Sequence, residues 1–172
     1  MEQGIAVRGI AYDKNVARIS ILGVPDVPGV LAKIFGALAD AGIDVDIIVQ
    51  SGVQNGKADF SFTVSLQDRA RAMDVISGIR SEVPYDDATY EENLVKVSIV
   101  GAGMVSNPGV AARMFKTISE LGVNIKMVST SEIKVSCVIA AEPLQDVVRA
   151  LHTAYGLDTN EDAFVGGPQV RR

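Results

Sequence analysis

Tryptophan is missing from this chain, and histidine and cysteine occur once each, as His152 and Cys137. A single cysteine excludes an intrachain disulfide and fits a reducing compartment. No group of His, Cys and Asp has metal-ligand spacing, so no metal and no cofactor are expected. His152 falls in a helical pattern among polar neighbours and reads as a surface residue. Cys137 falls mid-strand between Val135 and Ile139 and reads as a small buried hydrophobe rather than a nucleophile. Aromatics are 5% of the chain and scattered, and 16 basic residues face 21 acidic ones for a net charge of −5. A nucleic-acid track needs a basic face, and a sheet that binds RNA needs aromatics at its strand centres. Both are lacking, so no nucleic-acid partner is expected. No apolar run is long enough to span a membrane, and MEQGIAVRGI has no signal-peptide pattern. The expectation is a cytoplasmic chain with no membrane partner.

What the chain does have is an internal repeat. Pro28, Gly29, Val30, Ala32, Phe35, Gly42 and Ser51 recur 80 positions on as Pro108, Gly109, Val110, Ala112, Phe115, Gly122 and Ser131. Upstream, RISILG (18–23) recurs 78 positions on as KVSIVG (96–101), so the second junction is two residues longer. An ungapped match of this length marks two copies of one unit.

Each copy reads β-α-β-β-α. In the first, 18–23 alternates as a strand. Helical spacing then begins at Pro28, with Val30, Leu31, Ile34, Phe35 and Leu38 inward and Gly42 as the stop. Strands are predicted over 43–51 and 58–66, joined by an Asn55-Gly56 hairpin. A helix is predicted over 68–80, and 88–92 supplies a closing strand. The second copy predicts strands over 94–100, 123–129 and 133–139. Its helices cover 108–121, with Val110, Met114, Phe115, Ile118 and Leu121 inward, and 142–155. The polar, Gly-rich segment after Gly156 is a weak candidate for its closing strand. The orphan strand 5–10 is assigned that place instead. The predicted fold class is α+β: two ferredoxin-like βαββαβ units with antiparallel sheets, interlocked by the N-terminal strand. The boundaries are 15–92 for the first unit, 4–14 with 93–158 for the second, and 159–172 as a polar tail.

The chemistry concentrates in the loop GVPDVPGV (23–30). Proline suits the first position of a helix, and the free N–H groups of that first turn attract a small anion such as a carboxylate. Gly29 lets a ligand approach closely. Asp26 either caps the helix or meets an ammonium group. Together these would read an α-amino acid; a plain cap followed by Pro–Gly turn chemistry is the structural alternative. In the second copy Ser106 stands where the first has Asp26, so that loop lacks the acid. Its GAGMVSNPG resembles a dinucleotide loop but lacks GxGxxG spacing, and βαββα follows it rather than βαβ.

The stretch PDVPGVLAKIFGALADAGIDVDIIVQS resembles the ACT domain, a small-molecule sensor usually tuned to amino acids. In the second copy KVSIVGAGM, PGV, GVNIKM and STSEIKVS resemble the C-terminal regulatory region of aspartate kinase, and the match runs from about Val7 to Leu157. The resemblance implies tandem ACT units without the catalytic kinase domain, as in a separately made regulatory β subunit. It implies threonine, lysine or both as effectors, a homodimer through ACT units, and a catalytic α subunit as partner. It places the effector on Asp26, Gly29 and Leu31, flanked by Ile43, Asp44, Val45 and Gln50, with Asn124 and Ile125 from a second copy. A second, equivalent location would use Pro108, Gly109, Val110 and Ala111 with Ser131 and Glu132. Many relatives carry Asn-Ile where this first copy reads Asp44-Val45. That carboxylate either favours a cationic effector or is a solvated strand end. The rival reading is a free-standing ACT sensor that controls another enzyme or a transcription factor.

Overall fold

The computed structural model describes residues 7–159 and the backbone of 164–166. The chain divides into two compact units. Val16–Glu92 forms one without interruption, here called the inserted unit. Met1–Asn15 and Asn93–Arg172 form the other, the split unit.

The inserted unit runs β2 (Ala17–Pro25), α1 (Val30–Asp40), β3 (Ile48–Gln50), β4 (Lys57–Val64), α2 (Arg69–Gly78) and β5 (Asp87–Glu91). Its sheet has the order β3-β4-β2-β5 with every pair antiparallel. This is the ferredoxin-like arrangement. Ile19 and Ile21 of β2 and Phe60, Phe62 and Val64 of β4 line one face, as strand alternation requires. Val30, Ile34 and Leu38 of α1, spaced four apart, close over them with Ala72 and Ile76 of α2. Phe35 meets Phe62 edge to face at 5.4 Å, an arrangement that adds about 0.5–1.5 kcal/mol to area burial. Leu31, expected inward, is 40% exposed because it stands one position off that stripe.

The split unit runs β1 (Val7–Asp13), β6 (Leu94–Gly101), α3 (Pro108–Glu120), β7 (Met127–Thr130), β8 (Lys134–Ala140), α4 (Leu144–Ala154) and β9 (Phe164–Gly166). Its sheet order is β7-β8-β6-β1-β9. The N-terminal strand β1 pairs antiparallel with β6, in the position that β5 holds in the inserted unit. It reaches Asp13, past the expected end at Ile10; residues 5–6 of the predicted strand lie outside the described residues. The predicted polar tail also needs correction. Phe164–Gly166 adds a fifth strand, parallel to β1, so this sheet is not wholly antiparallel. An uncovered β1 would present a row of unpaired backbone groups, and β9 supplies partners for them. The rest of that tail lies outside the described residues. Val110, Met114 and Ile118 of α3 and Leu144, Val147 and Leu151 of α4 cover Val97, Ile99, Val135, Cys137 and Ile139. Leu121, expected inward, is 42% exposed just past the end of α3.

Both strand segments after the first helices are shorter than expected. The alternation over 43–51 yields strand only at Ile48–Gln50, and that over 123–129 only at Met127–Thr130. Residues 43–47 carry no regular secondary structure. The Ile47 N–H goes to the Thr63 hydroxyl at 3.0 Å instead of to a ladder carbonyl.

Candidate functional site

The loop from β2 to α1 is built by two local devices. The first is a bulge between Ile21 and Val24, where Gly23 turns left-handed at φ 67° and donates its N–H to Asp59 Oδ1 at 2.9 Å. The second is the turn Val27–Val30. Gly29 has φ 88° and ψ −8°, and the Val30 N–H reaches the Val27 carbonyl at 3.4 Å. Proline followed by left-handed glycine is the sequence of a type II turn. Pro28 therefore belongs to the turn, and α1 begins at Val30, two residues later than the spacing suggested. In the split unit the same dipeptide behaves as expected, with Pro108 opening α3.

Asp26 is exposed, and α1 has no side-chain cap. Among the described residues its carboxylate has no partner, so the capping alternative does not hold. The Asp26 N–H is fixed instead, donating to the Gly56 carbonyl at 2.8 Å. Gly56 lies at the hairpin tip, where Asn55 and Gly56 both adopt positive φ, as a type I′ turn demands. The N–H groups of Gly29, Leu31 and Ala32 find no backbone acceptor, which leaves three donors open in the turn and helix start that follow Asp26. Gln50, exposed at the C-terminal end of β3, lies at the same end of the sheet, because β2 and β3 both run antiparallel to β4.

Ile43, Asp44 and Val45 do not join this group. They precede β3, whereas Asp26 follows β2, so the two segments stand at opposite ends of one sheet. Along β4, the row of Ile48 and Phe62 is five residues from Lys57, which pairs with Pro25; that is about 17 Å. Ile43 is also buried in the core, Val45 packs against it, and Asp44 is exposed. The inserted unit by itself cannot place Asp44 beside Asp26.

The split unit repeats the plan with different ties. Gly101 N–H donates to the Ile133 carbonyl at 2.9 Å and Met104 N–H to the Glu132 carbonyl at 3.0 Å, which binds this loop to its own hairpin tip. The Met104 side chain is buried in the core. Gly109 is exposed, Ala111 half-buried and Val110 buried. Ser131 and Glu132 are exposed at the turn, with Ser131 N–H on the Lys134 carbonyl at 2.7 Å. Asn124 is exposed and Ile125 half-buried, ahead of β7 and so at the other end of that sheet.

Sequence reasoning missed Asp59, the two serine pairs and the enclosure of His152. Asp59 has no counterpart in the quoted motifs. Ser20 pairs with Ser61 at 2.8 Å and Ser98 with Ser136 at 2.7 Å, each pair directly across its sheet. The signal for these pairs was available, since Ser20 and Ser98 coincide in RISILG and KVSIVG. Cys137 is buried 3.8 Å from Met114 Sδ, and burial pushes its thiol up to about 12, which suits a core residue and not a nucleophile. His152 is half-buried rather than a free surface residue, and its Nε2 is enclosed without a hydrogen-bond partner. Among the described residues no three His, Cys, Asp or Glu side chains are grouped to hold a metal ion. Among the described residues no helix is long and apolar enough to cross a membrane.

Two βαββαβ units, each with an open loop at the start of its first helix, define a tandem ACT-domain protein. Models of the ACT domain match residues 17–79 and 97–155. Aspartate kinase from Stutzerimonas stutzeri is 48% identical over 158 residues, covering 92% of this chain and 38% of that protein. Aspartokinase from Mycolicibacterium smegmatis is 40% identical over 167 residues, covering 96% and 39%. A crystal structure of aspartokinase alpha and beta subunits superposes with TM-score 0.82 at 47% identity, over 88% of this chain and 99% of that one. The ligand-free regulatory subunit of aspartate kinase from Thermus thermophilus gives TM-score 0.83 at 39% identity, over 87% and 99%. The chain belongs to the aspartokinase family and corresponds to its regulatory ACT region. It spans 38–39% of the length of those two curated relatives.

Proposed function

We propose that this chain is the regulatory part of an aspartate kinase, without catalytic activity of its own. It binds end-product amino acids, threonine, lysine or both, and passes feedback inhibition to a catalytic subunit in the cytoplasm. The observation that carries the reading is the exposed carboxylate of Asp26 in the same loop as the open N–H groups of Leu31 and Ala32. An α-amino acid presents the complementary pair: its carboxylate takes the N–H groups and its ammonium takes Asp26.

A second copy completes the site. β3 and β7 are edge strands with Ile48, Val49 and Val128 exposed. Antiparallel pairing of β3 with β7 of a second copy brings the Gln50 end of β3 to Asn124 and Ile125 of that copy. The same pairing brings Asp44 and Val45 to Ser131, Glu132 and the Pro108–Ala111 turn of that copy. The two locations then divide the residues as the sheet ends do. Such a ligand alters the catalytic partner only by holding the inhibited arrangement more tightly, and a coupling of about 1–3 kcal/mol changes affinity roughly 5- to 150-fold.

The test is a thermal-shift series with threonine, lysine and methionine, followed by calorimetry. Ligand at about 100 times its Kd stabilises the native state by about 2.7 kcal/mol. Asp26→Ala removes a charge-assisted contact of about 1.5–3 kcal/mol and weakens binding roughly 10- to 150-fold. Wild-type affinity in that variant sinks the ammonium role, and no shift with any of the three amino acids sinks the effector reading.

A further inference from the structure

We infer that Asp59 is the positioning residue of the β2–α1 loop, and that the split unit carries the opposite charge at the same post. The Asp59 side chain accepts the Gly23 N–H at 2.9 Å. Its backbone N–H donates to Ser51 Oγ at 2.9 Å, and its carbonyl accepts the Ser51 N–H at 2.9 Å. One residue of β4 therefore links the end of edge strand β3 to the bulge of β2. The Asp26–Gly56 bond ties the next part of the loop to the same hairpin. No side-chain cap holds the loop to α1. At Gly23 and Asp26 the loop is therefore tied to the hairpin.

The repeat supplies the comparison. Ile21 faces Phe60 across β2 and β4, and its counterpart Ile99 faces Val135 across β6 and β8. The residue before Phe60 is Asp59, and the residue before Val135 is Lys134. An ammonium cannot accept a hydrogen bond. Accordingly Gly101, the counterpart of Gly23, gives its N–H to the Ile133 carbonyl. Each unit satisfies the same donor, one with a carboxylate and the other with backbone alone. The loop that carries the free acid is the one placed by a side chain, and a side chain can be changed without rebuilding the turn.

The consequence for effector binding rests on the reading proposed above; the consequence for the loop does not. The experiment compares Asp59→Ala and Asp59→Asn in the full chain, with amide exchange at Gly23 and titration with threonine and lysine as two separate readouts. Asparagine keeps the accepting oxygen. Asp59→Ala is expected to speed Gly23 exchange and weaken the effector by about tenfold each, while Asp59→Asn restores both to within about twofold. Lys134→Ala is expected to leave Gly101 exchange unchanged. Unaltered Gly23 protection in Asp59→Ala overturns the tie. Effector affinity unaltered despite faster exchange overturns the link to binding, and an Asp59→Asn variant as impaired as Asp59→Ala overturns positioning in favour of charge. A wild-type chain that binds neither amino acid refutes the effector reading, while Gly23 exchange still decides the role of Asp59.

Discussion

Gly23 and Gly29 both turn left-handed within one loop, yet alanine at the two positions should have different costs. At Gly29, φ is 88° and an added Cβ meets nothing within 4 Å. The cost there is the left-handed conformation itself, about 1–2 kcal/mol. At Gly23, φ is 67° and an added Cβ lands 2.0 Å from Asp86 Oδ2, 2.4 Å from its Cγ and 2.8 Å from its Cβ. Rotating the Asp86 carboxylate relieves the first two contacts and breaks its exposed 2.9 Å ion pair with Lys57, a loss of under about 1 kcal/mol. The third contact cannot be relieved that way. Asp86 N–H is held on the Leu22 carbonyl at 2.8 Å, and its own carbonyl accepts Arg80 Nη2 at 2.7 Å. Backbone must therefore move, as in an overpacked core, at about 1–3 kcal/mol. Gly23→Ala should destabilise the inserted unit by about 2–6 kcal/mol and Gly29→Ala by about 1–2 kcal/mol. Urea unfolding of the full chain, read as a midpoint shift at constant slope, measures both. Equal losses in the two variants would refute the account of Gly23 as a position closed by Asp86.

Other outcomes are as specific. Tyr155→Phe deletes the hydroxyl that donates to the Val110 carbonyl, a buried tie from the end of α4 to the start of α3. The loss should be about 1 kcal/mol, read by the same urea titration, because that carbonyl keeps its helical partner. Burial raises the Cys137 thiol from 9.0 and the Tyr155 phenol from 10.0, each to about 12. The native state retains both protons after the unfolded chain has released them. Stability is thus full below about pH 9 and falls between pH 9 and 12, at about 1.4 kcal/mol per pH unit for each group. Cys137→Ala should flatten the interval from pH 9 to 10, and an unchanged slope would contradict the assignment. Asp26→Ala should leave the urea midpoint within about 0.5 kcal/mol of wild type, since the side chain caps nothing.

The repeat was legible because both copies keep the same buried stripe. Val30, Ile34 and Leu38 correspond to Val110, Met114 and Ile118, and helix packing tolerates such exchanges. The hairpin at Asn55-Gly56 was legible because its dihedrals exclude most other residues. Pro28 misled because proline serves equally as the second residue of a turn and the first of a helix. The choice falls to Gly29, whose left-handed φ closes the turn before α1 begins. Asp44 was grouped with Asp26 by resemblance, and a likeness of sequence does not state which end of a sheet a segment occupies. Only the register of β3 and β2 on β4 separates them. Asp59 was invisible because its role comes from a residue 36 positions away in the chain. The strand at Phe164–Gly166 was underrated because composition describes a tail, whereas the open edge of β1 determines whether it pairs.

The donated strand β1 also dictates an order of assembly. It precedes the inserted unit in the chain, but its partner β6 follows that whole unit, and Asp13 pairs with Lys96. Closing a flexible loop of that length costs about 4 kcal/mol in chain entropy. Once the inserted unit has folded, its two ends are already neighbours, because Arg18 lies opposite Glu91 and bonds it at 3.0 Å. The long loop has then become a short one, and β1 meets β6 at little further cost. The prediction is that β2 and β4 gain amide protection before β1 in a refolding pulse-labelling experiment. Protection of β1 first would contradict it. A sequence that reads as two successive repeats is assembled from the inside out.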